Sequence, residues 1–490
     1  MLERGLAIGG WIDTAQCDVG RSEYYKYTSD RIEIVRRKGR MQNLKRTFWG
    51  TLAALVLLWL IAEPSVFWSA TFFGVRGAMV QLSGVLAIGC MSVAMILALR
   101  PRWPESWLGG LDKMYRLHKW LGITALVGAI VHWLWAEGPK WAVGWGLLER
   151  PAREAGPALE NSIEAAFASL RGSAEGLGEW AFYASVVLIA LALIQYFPYR
   201  LFYKTHRLLA VTYLVLVFHA VVLIKFSYWT SPVGWVMAVL LASGTWAAVI
   251  VLLRRVGAGR QVNGRITSLQ YYPGVSSLET EIEVPHGWPG HRSGQFAFAT
   301  SDASEGAHPY TIASSWDHEN PRIAFITKEL GDHTSRLRQK LSVGQEVKVE
   351  GPYGCFTFDD DCLHQIWIGG GIGITPFVAR MKHMAMQKRA PDWPEAQTVD
   401  LFHTTADVDE DALGKLAADA KSADVRLHVL IDARDGRLTG ERVRETVPEW
   451  REASVWFCGP TGFGEALKRD LAAHRFPVKD RFHQELFAMR

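Results

Sequence analysis

Four histidines in the first half of this 490-residue chain have a type and spacing that could do chemistry. His118 and His132 stand in Arg-Leu-His-Lys-Trp-Leu-Gly…Ile-Val-His-Trp, and His206 and His219 in Lys-Thr-His-Arg-Leu-Leu…Val-Phe-His-Ala. The two spacings are 14 and 13 residues. At helical rise each is roughly 20 Å, most of the thickness of a hydrocarbon layer. A polar side chain at such depth is costly and usually functional, and imidazole ligates haem iron well. If the two segments run the same way, His118 meets His206 near one surface and His132 meets His219 near the other. Each pair would hold the iron of one b-type haem. Four unrelated histidines bonding between helices is the plainer reading; two depth-matched pairs with no spare histidine argue against it. Fourteen residues return nearly to the same helix face and thirteen do not. The second helix is therefore expected to be locally distorted, or to meet its two ligand partners at different azimuths.

Six apolar stretches must position these residues: about 47–67, 77–99, 116–136, 180–197, 206–225 and 232–253. Each is long enough to cross a bilayer as a helix. Residues 31–46 carry seven Lys and Arg, and Arg100, Arg102, Lys113, Arg200, Lys204, Arg207, Arg254, Arg255 and Arg260 fall on the same side. Loop 137–178, with four Lys/Arg and six Glu, falls on the other. The positive-inside rule then predicts a plasma (inner) membrane protein with both termini in the cytoplasm. Fifteen of the 21 Trp precede residue 260, whereas eleven of the 15 His follow it, as expected for two halves in different solvents. A net charge of +4 without a basic stripe gives no reason to expect nucleic acid. Five dispersed Cys without a C-x-x-C pair argue against a disulfide framework or thiolate zinc site. No short charged region precedes an apolar run at the N-terminus, so a cleaved signal peptide is not expected.

After Arg260, short alternating runs bounded by Gly and Pro predict a small antiparallel barrel. From Gln365 a strand, Gly-rich turn and helix repeat predicts a doubly wound α/β lobe. The expected organisation is an N-terminal segment 1–46, a six-span domain 47–255, a barrel 256–361 and an α/β domain 362–490.

The paired histidines on the third and fifth of six spans resemble the ferric reductase and NADPH oxidase superfamily of transmembrane cytochromes b. The second half resembles ferredoxin–NADP reductase-like proteins through three barrel segments. They are His308-Pro309-Tyr310-Thr311, then Lys328 followed by Gly331-Asp332-His333-Thr334, and Gly351-Pro352-Tyr353-Gly354. The resemblance implies FAD, with Tyr310 packed along the flavin and the Thr311 hydroxyl near the hydride-accepting nitrogen. Lys328, Gly331, His333 and Thr334 would lie by the pyrophosphate; His308 stands where soluble relatives carry Arg, and Pro309 completes that strand motif. A Gly-rich turn, Gly369-Gly370-Gly371-Ile372-Gly373-Ile374-Thr375-Pro376, opens the second lobe, where glycines and a helix start suit a dinucleotide phosphate. Cys458-Gly459-Pro460 resembles the family's nicotinamide-side motif and would put Cys458 near the hydride path. Phe487 is the candidate aromatic cover of the flavin. Arg434 and Arg437 are candidates for a 2′-phosphate, and the resemblance favours NADPH over NADH.

Nicotinamide gives two electrons as hydride, haem iron takes one at a time, and a flavin handles both, so the flavin must lie between them. The expected path is NAD(P)H, FAD, the His118/His206 haem, the His132/His219 haem, then a small-molecule acceptor outside. Ferric chelate is the preferred acceptor and oxygen the alternative. The oxidase branch has a further His one turn beyond the outer ligand, and this chain has Ala136. Arg76 would orient an anion or a haem propionate. A third reading makes the membrane half an electron-supplying subunit for a periplasmic protein or quinone, docked through loop 137–178 and its helical run Ala158–Leu170. A fourth has no haem, only a tethered flavin reductase.

Overall fold

The computed structural model describes residues 40–64, 71–149, 162–194, 196–285, 287–302, 305–388 and 397–485. Six of its helices are long and apolar enough to cross a membrane: Asn43–Ala62, Phe72–Ala98, Leu111–Gly144, Ile163–Leu193, Leu201–Leu223 and Pro232–Leu252. They turn large apolar side chains outward, among them Leu57, Ile61, Val127, Leu134, Val187 and Val239. A contiguous apolar surface of this kind needs an apolar surround. Exposed Trp49, Trp103 and Trp107 stand at one end of the bundle and Trp145 and Trp235 at the other, as interfacial anchors do.

The third and fourth spans are much longer than hydropathy predicts. The third runs unbroken to Gly144, and the fourth begins at Ser162. Most of the described part of the expected external loop 137–178 is therefore helix. Hydropathy fails there because Glu137, Lys140, Arg171, Glu175 and Glu179 punctuate an otherwise continuous helical backbone. The run expected from Ala158 begins outside the described residues and continues into the fourth span. Pro139 lies inside the third span. It has no N–H to give Trp135, four residues earlier. Arg76 of the second span fills that gap, donating to the carbonyls of Trp135 (3.1 Å) and Ala136 (2.8 Å).

Beyond a short linker the described residues form eleven strands: β1 (Gln261–Tyr272), β2 (Ser277–Glu283), β3 (Phe296–Thr300), β4 (His308–Thr311), β5 (Arg322–Lys328), β6 (Glu346–Tyr353), β7 (His364–Gly370), β8 (Thr398–Thr405), β9 (Arg426–Ile431), β10 (Ser454–Cys458) and β11 (Phe482–Gln484). The first six form an antiparallel sheet in the order β4-β3-β6-β1-β2-β5. A bridge between Ile312 and Phe325 brings its two edges together, closing the sheet into the expected barrel. Ile266, Ile282, Ala297, Ile323, Phe325 and Val349 fill its interior. The remaining five form a parallel sheet in the order β11-β10-β7-β8-β9. Its strand order reverses at β7, with β8 on one side and β10 on the other. That is where ligands of open α/β sheets bind, outside the carboxyl ends of the strands.

Candidate functional site

The third and fifth spans face each other through their histidines, which meet in two pairs. The ring centroids of His118 and His206 are 5.9 Å apart, and those of His132 and His219 are 6.1 Å apart. A metal–imidazole nitrogen bond is about 2 Å, so two rings on opposite faces of one metal have centroids about 6 Å apart. The helix carrying His206 and His219 is continuous over Tyr199–Leu223. The thirteen-residue offset is thus absorbed by azimuth and side-chain torsion, and no break in the helix is needed.

Three of the four rings are oriented by backbone. Nδ1 of His118 lies 2.9 Å from the Ala94 carbonyl, Nδ1 of His132 2.9 Å from the Val80 carbonyl, and Nδ1 of His219 2.9 Å from the Ala174 carbonyl. A carbonyl only accepts, so in each case Nδ1 carries the proton and Nε2 keeps its lone pair. That is how metal-binding imidazoles are usually held. His206 is steadied differently, by Phe202 stacked 5.0 Å away at 21°. Glycines make these contacts possible. A Cβ on Gly178 would fall 2.0 Å from Nδ1 of His219, and one on Gly84 3.3 Å from the His132 ring. Ala174 and Gly178 belong to the segment that hydropathy assigned to the external loop. The His132/His219 pair therefore depends on residues whose role no local signal announced.

In the barrel, β4 pairs with β3 so that Thr311 stands opposite Phe296, Tyr310 opposite Ala297, Pro309 opposite Phe298 and His308 opposite Ala299. His308 stacks on His333 with centroids 3.6 Å apart and planes within 9°. The Tyr310 hydroxyl meets Nε2 of His333 at 2.9 Å, and Glu305 holds Nδ1 of the same ring. Lys340 in turn lies 2.5 Å from Glu305. Glu305, His308 and His333 sit close enough to suggest a metal site. Both nitrogens of His333 are already engaged, however, and Lys340 opposes a cation. The cluster is better described as a brace joining the two expected pyrophosphate segments. Burial, then the neighbouring His333, pushes His308 down to about 4. It is neutral near pH 7 and offers a phosphate hydrogen bonding rather than the charge of an Arg.

Lys328 points to the other lobe and pairs with Asp407 at 2.5 Å. The Thr334 hydroxyl accepts from the backbone of Leu330 (2.9 Å) and Gly331 (3.1 Å), holding that loop to itself. Lys328, Gly371, His403 and Asp407 line one cleft between barrel and α/β lobe.

At the reversal point of the parallel sheet, Gly369 stands in register with Cys458. The two motifs touch: a Cβ on Gly370 would meet Pro460 at 3.0 Å, and one on Gly373 the Cys458 carbonyl at 2.2 Å. Gly371, at φ +55°, turns the chain towards the 3₁₀ segment Gly371–Ile374 and the helix from Thr375, with Pro376 in its first turn. Cys458 is fully buried, and burial followed by Glu485 pushes its thiol well above the usual range. A neutral thiol of this kind packs rather than attacks. Arg434 is bound by its neighbour Asp435. Phe487 lies outside the described residues.

Glu485 was not singled out in the sequence, because a lone carboxylate near a terminus carries no signal. It is buried, and burial, reinforced by Asp112 of the third span, pushes its carboxyl up to about 8. In the unfolded chain it ionises near 4.5. Its contribution is therefore fully present below that pH and is lost as pH rises through about 8. Glu485→Gln is expected to melt above the wild type at pH 8 and with it at pH 4. Equal melting temperatures at pH 8 would count against this assignment.

Residues 83–217 match the family model described as the ferric reductase like transmembrane component. This interval holds all four histidines. The chain is thus similar to a ferric reductase-type transmembrane component over these residues. An NADPH oxidoreductase of Mycobacterium tuberculosis is 32% identical over 263 residues, 51% of this chain and 63% of its own length. Ferric reduction oxidase 5 of Arabidopsis thaliana is 36% identical over 88 residues, 17% of this chain and 12% of its own. The chain thus spans less than two thirds of either relative. A solved Amycolatopsis cytochrome P450 reductase is 23% identical, aligns over 46% of this chain and 70% of its own, and gives a TM-score of 0.39. The reductase-like module implies FAD and NAD(P)H; haem is implied by the ferric reductase-type component alone.

Proposed function

We propose that the protein carries electrons across the plasma (inner) membrane from cytoplasmic NAD(P)H, through FAD and two b-type haems, to an acceptor on the outer side, preferentially a ferric chelate. The observation that carries this reading is the pair of histidine couples. Each is spaced for two imidazoles about one iron, one couple lies above the other, and three of the four rings are held with Nε2 free. Flavin exchanges hydride for single electrons and haem iron carries them singly. The chain's own residues then have plain tasks. His118 with His206, and His132 with His219, would hold the irons. The β4 strand and the His308–His333 brace would seat the flavin. The Gly369–Gly373 turn and the Cys458-Gly459-Pro460 segment would receive the dinucleotide.

Ala136, at the position where the oxidase branch carries a further His, supports ferric chelate over oxygen. Purified protein is expected to show a dithionite-reduced b-type spectrum with about two haems per chain. Membranes should reduce Fe(III)-chelate faster than they form superoxide. Colourless protein with NAD(P)H–dye activity would end the haem reading, and fast oxygen consumption without iron reduction would end the acceptor preference.

A further inference from the structure

The barrel sits on the end of the bundle that carries His118 and His206, and one buried carboxylate gathers the contact. Glu350 of β6 receives the Arg100 guanidinium from the loop after the second span. It also accepts from the Tyr353 hydroxyl at 2.7 Å and from Gln261 at 3.1 Å. The linker presses on the same group, since a Cβ on Gly257 would lie 2.1 Å from its carboxyl carbon. Arg100 is fixed in turn: its Nε donates to Tyr115 of the third span at 2.7 Å, and its guanidinium lies 3.8 Å over the Phe298 ring. A second contact has the opposite polarity. Glu105, in the short helix Arg102–Leu108, accepts from the Gly354 backbone at 2.8 Å and faces Arg260 at 3.9 Å, and Arg260 lies 4.7 Å over Tyr353.

The membrane half thus offers Arg100 then Glu105, and the barrel side Glu350 then Arg260. Crossed charges of this kind oppose a slid or rotated docking, which would set like charges together. Behind them Phe296, Phe298 and Tyr353 share one buried cluster with Leu108, Leu111, Met114 and Leu117. Phe296 is the strand partner of Thr311, and Leu117 precedes His118. On the other flank, Gly306 of the barrel leaves just enough room for Tyr203, one turn before His206; a Cβ there would lie 3.3 Å from the ring. The expected flavin strand is therefore tied to both helices of the first histidine pair.

We propose that Glu350, held by Arg100, is a positioning residue whose task is to fix the flavin-binding strand against the His118 and His206 helices, so that electrons pass between the two halves at a set distance. The proposal rests on the electron path argued above. A charged pair buried at a junction adds register more than stability, and the rate of electron transfer falls as the distance between its two centres grows, so the protein must hold them in position.

The test compares full-length wild type, E350Q and E350D in lipid nanodiscs. The E350Q protein is expected to keep its haem content and its rate of flavin reduction by NAD(P)H, while haem reduction slows severalfold. Trypsin should cut after Arg260 faster than in the wild type, because the residues that shelter that arginine no longer hold together. E350D should recover part of the transfer rate. Haem reduction at the wild-type rate in E350Q would overturn the proposal. So would joint loss of haem and flavin reduction in both variants, which would mark Glu350 as merely structural. A wild type with flavin but no haem would overturn the electron path itself, a failure visible before any variant is made.

Discussion

His219→Leu is expected to remove one of the two proposed haems and to stop electron delivery to the proposed outer acceptor, while leaving NAD(P)H–dye reduction at the wild-type rate. Leucine offers no lone pair to a metal, and the His132 ring 6.1 Å away is left without its opposite ligand. The Ala174 carbonyl also loses the N–H that it accepts at 2.9 Å. The dithionite-reduced absorbance per chain should fall by about half, and Fe(III)-chelate reduction by about a hundredfold or more. His132→Leu should behave alike. Gly178→Val is a sharper test of the geometry, because it changes none of the four histidines. Its Cβ would fall 2.0 Å from Nδ1 of His219, so the ring must leave the Ala174 carbonyl. A full complement of two haems in His219→Leu would sink the pairing, and an unaltered Gly178→Val would sink the orienting role of the fourth span.

Gly373→Ala addresses the donor end. The added methyl group would lie 2.2 Å from the Cys458 carbonyl oxygen and 3.1 Å from its sulfur. The carbonyl belongs to β10, which the parallel ladder holds against β7, so it cannot give way as a flexible side chain would. The Gly-rich turn must move instead, and the proposed dinucleotide seat moves with it. NAD(P)H-driven reduction is expected to fall about a hundredfold, while haem content and the dithionite-reduced spectrum stay as in the wild type. The two variants thus break the path at opposite ends, and their spectra distinguish them. Wild-type NAD(P)H kinetics in Gly373→Ala would place the dinucleotide elsewhere.

Several features of this molecule were legible in residue order. The six spans could be read because a bilayer demands long apolar runs, and the two histidine pairs because depth in a bilayer is nearly a function of residue number. The barrel and α/β lobe could be read from strand-length patterning and Gly-rich turns. The ends of the third and fourth spans were less legible. Their helices continue beyond the apolar stretch, where backbone hydrogen bonding persists and hydropathy does not.

Residue order by itself determined which groups repeat at bilayer spacing and which glycines open a turn, since both are properties of one segment read alone. Tertiary structure alone decided what each group faces. It set the carbonyls of Val80, Ala94 and Ala174 against three imidazoles, turned Lys328 towards Asp407, and brought Gly373 against Cys458. It also brought Arg100 and Glu350 together across 250 residues. The physical reason is that hydrogen bonds and ion pairs act over a few ångströms, whereas the partners they join here are separated by tens to hundreds of residues. Only the packed chain brings them within reach.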